Sequence, residues 1–108
     1  MECRWDHMSG WPSQVQVGLP RRVSAYTRSD RCINFKIGIT GDPESRCGWY
    51  DDYDEMIVLY ETHSERHARN TEQFLTDYYG DSCDNIRSGG AGRLSGPPYY
   101  LYIVLCYR

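Results

Sequence analysis

The sequence of 108 residues predicts a small α/β domain of the α+β type, in which a mostly antiparallel sheet of three or more strands is flanked by two main helices. Three observations predict this class. Apolar and polar residues alternate over 33–40, a continuous apolar run spans 56–60, and residues 65–79 repeat apolar positions every three to four residues. A chain of this length suits one modest core rather than two.

The first 22 residues are predicted to form an N-terminal arm, and residues 23–108 a single domain. Tryptophan, glycine and proline residues occur in the arm without helical spacing, which favours irregular structure. Val15 and Val17 alternate with glutamines, so a short edge strand is an open alternative.

Residues 23–27 are predicted to form a short strand that pairs with the strand over 33–40. The polar residues 28–31 between the two segments suit a turn. A β-hairpin is therefore expected at the start of the domain.

A helix is predicted to begin at Pro43 and to end near Tyr50. Asp42 fits the N-cap, because its carboxylate can accept an unpaired amide of the first turn and a proline at the next position has no amide to satisfy. Arg46 then lies one turn into this helix, eight residues after Gly38. A glycine in the middle of a strand often marks a place where a ligand or another backbone must come close.

The run over 56–60 predicts a central strand that is buried on both faces. The main amphipathic helix over 65–79 is expected to be capped by Thr62 or Ser64 and closed by Gly80.

Within the main helix, Glu72 follows Ala68 by one turn, so it is expected to point toward the sheet. A polar, glycine-rich loop follows the helix. The run over 99–107 is rich in tyrosine and β-branched residues and predicts an extra C-terminal strand.

Charge is segregated along the chain, although the net charge is only −3. Residues 19–50 carry six basic and three acidic side chains, whereas residues 51–61 carry five acids and no base. A local basic segment is compatible with a phosphate ligand. Five cysteines without a C-x-x-C pair predict thiols in a reduced, intracellular protein. No apolar run reaches the roughly 18 residues of a membrane span, and no signal-peptide pattern occurs, so no membrane association is expected.

The stretch from Lys36 to Arg46 resembles the second half of the signature of the GIY-YIG nuclease superfamily. In that signature a strand with Tyr-Ile-Gly is followed eight residues later by an arginine on a helix. The tripeptide here is Lys36-Ile37-Gly38. The first tripeptide, Gly-Ile-Tyr, lies on the partner strand of the hairpin, and Ser24-Ala25-Tyr26 occupies that place.

The main helix carries a second part of the resemblance. The superfamily places an alanine, a glutamate one turn later, an apolar residue and a tyrosine on this helix, which Ala68, Glu72, Leu75 and Tyr79 match in turn. In the superfamily the glutamate is the metal ligand.

This resemblance implies a metal-dependent endonuclease that hydrolyses DNA phosphodiester bonds, including those of branched or damaged DNA. The expected cofactor is Mg²⁺ or Mn²⁺ on Glu72, with Arg46 holding the phosphate, Tyr26 positioning or deprotonating water, and Lys36 adding positive charge. The predicted catalytic residues are Tyr26, Lys36, Arg46 and Glu72. The predicted substrate-binding residues are Gly38, Asn85 and Arg93.

Two alternatives remain open. Lys36 in place of the tyrosine and the acidic net charge also allow a domain that keeps the scaffold without catalysis and binds nucleic acid or protein. A zinc-stapled interaction domain is the third possibility, with ligands drawn from Cys3, His7, His63 and His67.

Overall fold

A computed structural model describes residues 2–28, 31–50, 53–80 and 96–107. The described residues form four strands and three helices: β1 (Glu2–Ser9), α1 (Pro12–Thr27), β2 (Cys32–Thr40), α2 (Pro43–Cys47), β3 (Glu55–Thr62), α3 (Glu65–Tyr79) and β4 (Tyr99–Tyr107). The predicted α/β class, the two main helices and the C-terminal strand are therefore confirmed. No helix in the described ranges is both long and apolar enough to span a membrane.

The strands form one mixed sheet in the order β1-β3-β4-β2. β1 and β3 are parallel, whereas β4 is antiparallel to β3 on one side and to β2 on the other. Two of the three neighbouring pairs are thus antiparallel, as predicted. Residues 56–60 of β3 are all 0% exposed, which confirms the predicted central strand.

The two long helices pack on one face of the sheet, here called the helical face. Its core consists of fifteen buried residues: Val15, Leu19, Val23, Phe35, Ile37, Ile39, Ile57, Leu59, Tyr60, Ala68, Leu75, Tyr99, Leu101, Ile103 and Leu105. The Tyr79 hydroxyl ties α3 to α1, because it donates to the backbone carbonyl of Pro20 over 2.8 Å and lies 3.0 Å from the Ser24 hydroxyl.

The irregular structure predicted for the N-terminal arm is wrong. Residues 2–9 form β1, which pairs with β3 at the edge of the sheet, and the boundary predicted at residue 22 lies inside α1. The alternative edge strand around Val15 and Val17 is also wrong, since both residues are helical.

Helix α1 was hidden by its composition. Val15, Leu19 and Val23 recur every four residues and are at most 3% exposed, which is the stripe of an amphipathic helix. Gly18 and Pro20 interrupt the same segment, and both residues disfavour a helix interior. Burial of the stripe against the helical-face core outweighs this propensity, as tertiary packing commonly does.

The predicted hairpin is wrong as well. Residues 23–27 form the last turns of α1, and the antiparallel partner of β2 is β4, from the other end of the chain. Alternation within a strand predicts that the strand exists but carries no information about which strand it pairs with.

Both predicted helix starts are confirmed. The Asp42 side chain accepts from the Ser45 amide over 3.2 Å, and the Ser64 hydroxyl accepts from the His67 amide over 3.2 Å. Gly80 follows α3 with φ of +53°, a conformation that suits glycine and ends the helix as predicted.

Candidate functional site

The second face of the sheet, here called the α2 face, lies against the short helix α2 and the residues after it. Successive strand residues point to opposite faces, so β2 turns Ile37 toward the helical face and turns Lys36 and Gly38 toward the α2 face. Four of the buried residues on this face form a small cluster: Cys47, Met56, Tyr102 and Val104.

Gly38 lies directly beneath the ring of Tyr102. The two residues oppose each other in the β2–β4 register. A Cβ atom at position 38 would lie 2.5 Å from the Tyr102 hydroxyl oxygen and 2.7 Å from its Cζ atom. Tyr102 is only 1% exposed, so its ring has little room to move away. A close approach therefore does occur at Gly38, and the group that approaches is a tyrosine ring.

The Tyr102 hydroxyl is the centre of a polar cluster on the α2 face. It shares a hydrogen bond of 2.5 Å with the Tyr50 hydroxyl, and the Arg46 guanidinium lies within hydrogen-bonding reach. Burial raises the pKa of Tyr102 and the bond to Tyr50 raises it further, whereas Arg46 opposes the shift. Because the net shift is upward, Tyr102 keeps its proton at neutral pH.

Two half-buried cations flank these tyrosines. The Lys36 Nζ atom lies 5.9 Å from the centroid of the Tyr50 ring, and the Arg46 guanidinium lies 4.2 Å from the centroid of the Trp49 ring. Cation–π contacts of this kind hold a positive charge without neutralising it. We call the group of Lys36, Arg46, Tyr50 and Tyr102 the tyrosine–arginine site.

Local sequence explains how α2 supplies two members of this site. The Asp42 cap fixes the start of the helix, which places Arg46 in its last turn. The helix ends at Cys47 rather than near Tyr50 as predicted. The chain nevertheless continues to turn, because the amides of Trp49 and Tyr50 bond to the carbonyls three residues before them over 3.0 and 3.4 Å. Tyr50 is thereby brought back over the sheet.

Tyr26 lies on the opposite side of the sheet from this site. Its hydroxyl donates to the Asp6 carboxylate over 2.6 Å, and the same carboxylate accepts from Arg22 over 2.6 Å. Burial and then the Asp6 charge raise the pKa of Tyr26, with Arg4 opposing. These contacts fasten α1 to β1. They do not bring Tyr26 to the other predicted catalytic residues.

Glu72 faces the sheet, as predicted, and is 3% exposed. Ala68, one turn before it, and Leu75, one turn after it, both belong to the helical-face core. The sheet therefore stands between Glu72 and Arg46. Of the four predicted catalytic residues, the α2 face brings together Lys36 and Arg46, while the other two lie on the helical face.

The predicted metal can be tested against this arrangement. A magnesium ion that joins a carboxylate to a bound phosphate must lie about 2.1 Å from an oxygen of each. Glu72 and Arg46 approach the sheet from opposite faces, so the described arrangement does not fit a metal shared between Glu72 and a phosphate at the tyrosine–arginine site. Binding of Mg²⁺ or Mn²⁺ by Glu72 stays a prediction.

The four residues of the alternative zinc site do not meet. Cys3 contacts the thiol of Cys47, His7 pairs with Glu61 at 3.1 Å, and the ring of His67 packs against Trp11. Within the described ranges, no three histidine, cysteine or acidic side chains are grouped as metal ligands. The predicted substrate contacts Asn85 and Arg93 lie outside the described residues.

Tyr102 and Tyr50 are the site residues that the sequence did not reveal. Tyr102 is one of several tyrosines in β4, and only the β2–β4 register shows that it opposes Gly38. A weak signal for Tyr50 was present, because it follows Arg46 by four residues in a predicted helix.

No protein-family model, curated protein or solved structure matches this chain.

Proposed function

We propose that this protein is an endonuclease of the GIY-YIG type that hydrolyses DNA phosphodiester bonds, with its phosphate-binding residues in the tyrosine–arginine site. The observation that carries the proposal is the position of the Tyr102 hydroxyl over Gly38, between Tyr50 and Arg46. A tyrosine, an arginine and the glycine beneath them are three features of the superfamily signature.

The pairing of β2 with β4 supports this proposal, with Tyr102 in place of Tyr26 as the tyrosine of the site. The resemblance expects a tyrosine on the strand that pairs with the second tripeptide, and Tyr102 occupies that strand in place of Tyr26. In this chain the tyrosine strand follows the second tripeptide along the sequence instead of preceding it. The proposal is therefore that the same groups meet in space in a chain whose strands are joined in a different order.

The side chains of the site suit a phosphodiester. The planar guanidinium of Arg46 can hold two phosphate oxygens at once, and Lys36 adds a second positive charge on the same face. Tyr102 is only 1% exposed and its hydroxyl is already bonded to that of Tyr50, so it positions Tyr50 and Arg46 and does not itself contact the phosphate. Because its pKa is raised, Tyr102 does not deprotonate water at neutral pH.

Cleavage assays on labelled DNA test this function. Single-stranded, duplex and branched substrates are incubated with Mg²⁺, with Mn²⁺ or with EDTA. We expect metal-dependent cleavage that falls roughly 100-fold in Arg46→Ala, because a group that stabilises transition-state charge is lost. Arg69→Ala is the matched control, since Arg69 lies on α3 and bonds to Glu65 over 2.8 Å. Equal rates for Arg46→Ala and the unmodified protein would contradict the proposal.

A second function is favoured by the position of Glu72. If the Glu72 carboxylate stays on the helical face, it holds no metal at the tyrosine–arginine site. That site can then bind a phosphate without activating water, and the protein is a DNA-binding module. In that case DNA binds in an Arg46-dependent manner in EDTA, and no substrate is cut with either metal. Cleavage that Glu72→Gln abolishes, with binding retained, would instead support the enzyme and its metal ligand.

A further inference from the structure

A pair of aromatic rings lies on the α2 face near the tyrosine–arginine site. Trp5 in β1 is 44% exposed, and Tyr100 in β4 is half-buried. Its ring meets that of Tyr100 edge to face, with centroids 5.3 Å apart and an interplanar angle of 87°. Tyr100 has the same orientation as Tyr102, two residues later in β4. We call Trp5 and Tyr100 the aromatic pair.

The sheet register fixes the distance from this pair to the phosphate-binding residues. Trp5 opposes Val58, Val58 opposes Tyr102, and Tyr102 opposes Gly38, so all four residues lie in one row across the sheet. Neighbouring strands are about 4.8 Å apart, which places the Cα atoms of Trp5 and Tyr102 roughly 10 Å from each other. Tyr100 lies roughly 7 Å from Tyr102 along the same strand.

We propose that the aromatic pair stacks an unpaired nucleobase of a single-stranded DNA segment whose phosphate is held by Arg46. This inference rests on the proposed function of the tyrosine–arginine site and adds its substrate class: single strands and the unpaired arms of branched DNA. Bases in a duplex have both faces covered by their neighbours, so only an unpaired base can lie against Trp5. Stacking on protein aromatics next to a positively charged groove is a general mode of single-strand binding.

The charges around the pair favour this occupant over a protein partner. Arg46 reaches the Tyr102 hydroxyl, two strands from Trp5, and Lys36 lies on the same face in the far edge strand β2. The nearby Glu61 carboxylate is paired with His7 at 3.1 Å, which reduces its repulsion of an anionic strand. Within the described ranges, no acidic side chain forms an ion pair with Lys36 or Arg46, so a ring pair on the same face complements a polymer of alternating bases and phosphates.

Fluorescence anisotropy of labelled oligo(dT) and of a duplex of equal length tests the proposal, in EDTA so that no cleavage intervenes. We expect Trp5→Ala to weaken oligo(dT) binding roughly tenfold and to change duplex binding by no more than about twofold. Trp5→Phe should restore most of the affinity, because it returns an aromatic ring. Trp11→Ala is the matched control, since Trp11 is 64% exposed and packs against His67 of α3.

The outcomes distinguish failure of base stacking on the aromatic pair from failure of the proposed function. If Arg46→Ala loses binding to both DNA forms and Trp5→Ala changes binding to neither, the proposed function is retained and base stacking on the aromatic pair is overturned. Absence of any DNA binding by the unmodified protein overturns both. Unchanged oligo(dT) affinity together with loss of self-association in Trp5→Ala, measured by light scattering, assigns the pair to a second copy of the chain and also overturns the inference.

Discussion

The two faces of the sheet are built from the same strands and have different chemistry. Fifteen buried residues form the helical-face core, whereas the α2 face has a buried cluster of four. The helical face is closed by two long helices, while a helix of five residues packs on the other. The α2 face also carries the hydroxyls and cations of the tyrosine–arginine site. The larger apolar core and the polar, cationic side chains therefore lie on opposite faces of the sheet.

Removing bulk from the helical face should have the largest effect. Leu75 is 0% exposed within that core, so we expect Leu75→Ala to lower the free energy of unfolding by about 2–5 kcal/mol. Urea denaturation followed by circular dichroism measures this loss. DNA affinity of the folded variant should stay unchanged, and a specific loss of affinity at full stability would break the separation of the two faces.

The substitution Gly38→Ala adds a methyl group on the α2 face and should have the next largest effect. In Gly38→Ala the new Cβ overlaps the buried Tyr102 ring, and such overpacking costs about 1–3 kcal/mol. Displacement of the Tyr102 hydroxyl should also weaken DNA binding. Gly48→Ala is the control, because a Cβ there lies 3.5 Å from its nearest neighbour. Equal stability and equal affinity of the two variants would contradict the account of Gly38.

Loss of one hydroxyl should have a smaller effect. Tyr50→Phe removes the hydrogen bond to Tyr102 and keeps the ring, so we expect a loss of about 0.5–1.5 kcal/mol in stability. The pKa of Tyr102 should fall toward its ordinary value, since Tyr50 contributes to raising it. The tyrosine ring carbon resonances, followed by NMR during alkaline titration, report this change at Tyr102 itself. An unchanged titration of the Tyr102 resonance would show that the two hydroxyls do not interact.

The smallest expected effect concerns Cys3, where β1 meets α2. Burial, followed by the neighbouring Cys47 thiol and the Glu44 carboxylate, raises the pKa of Cys3 from 9.0 to about 11. The raised pKa stabilises the folded protein below pH 9, and this contribution is lost as the pH rises toward 11.

Alkylation by iodoacetamide measures this shift, because only the thiolate reacts. The Cys3 peptide is quantified by mass spectrometry at pH 9, in the folded protein and in urea. We expect slower reaction in the folded protein. Equal rates in both states would mean that Cys3 is not perturbed.

Much of the fold could be predicted because its signals are local. The Asp42 and Ser64 caps, the apolar run of β3 and the apolar stripe of α3 depend on residues close in sequence. The extended pattern of β4 was equally clear. Helix α1 was missed because its stripe is short and Gly18 and Pro20 oppose it, so only its tertiary packing decides.

The candidate site was harder to predict because it depends on strand pairing. Arg46 and Gly38 were found, since eight residues of chain connect them. Tyr102 was not found, because its neighbour Gly38 is distant in sequence and the pairing of β2 with β4 has no local signal. The place of the first tripeptide in the resemblance points to Tyr26 instead, which the structure puts on the other face of the sheet.

Chemical-shift mapping of the ¹⁵N-labelled protein with oligo(dT) in EDTA most directly tests the proposal that the α2 face holds the nucleic-acid phosphate. We predict that the amides of Trp5, Lys36, Gly38 and Arg46 shift most, and that those around Tyr26 and Glu72 remain in place. The largest shifts around Tyr26 and Glu72, with the α2 face unchanged, would contradict the claim.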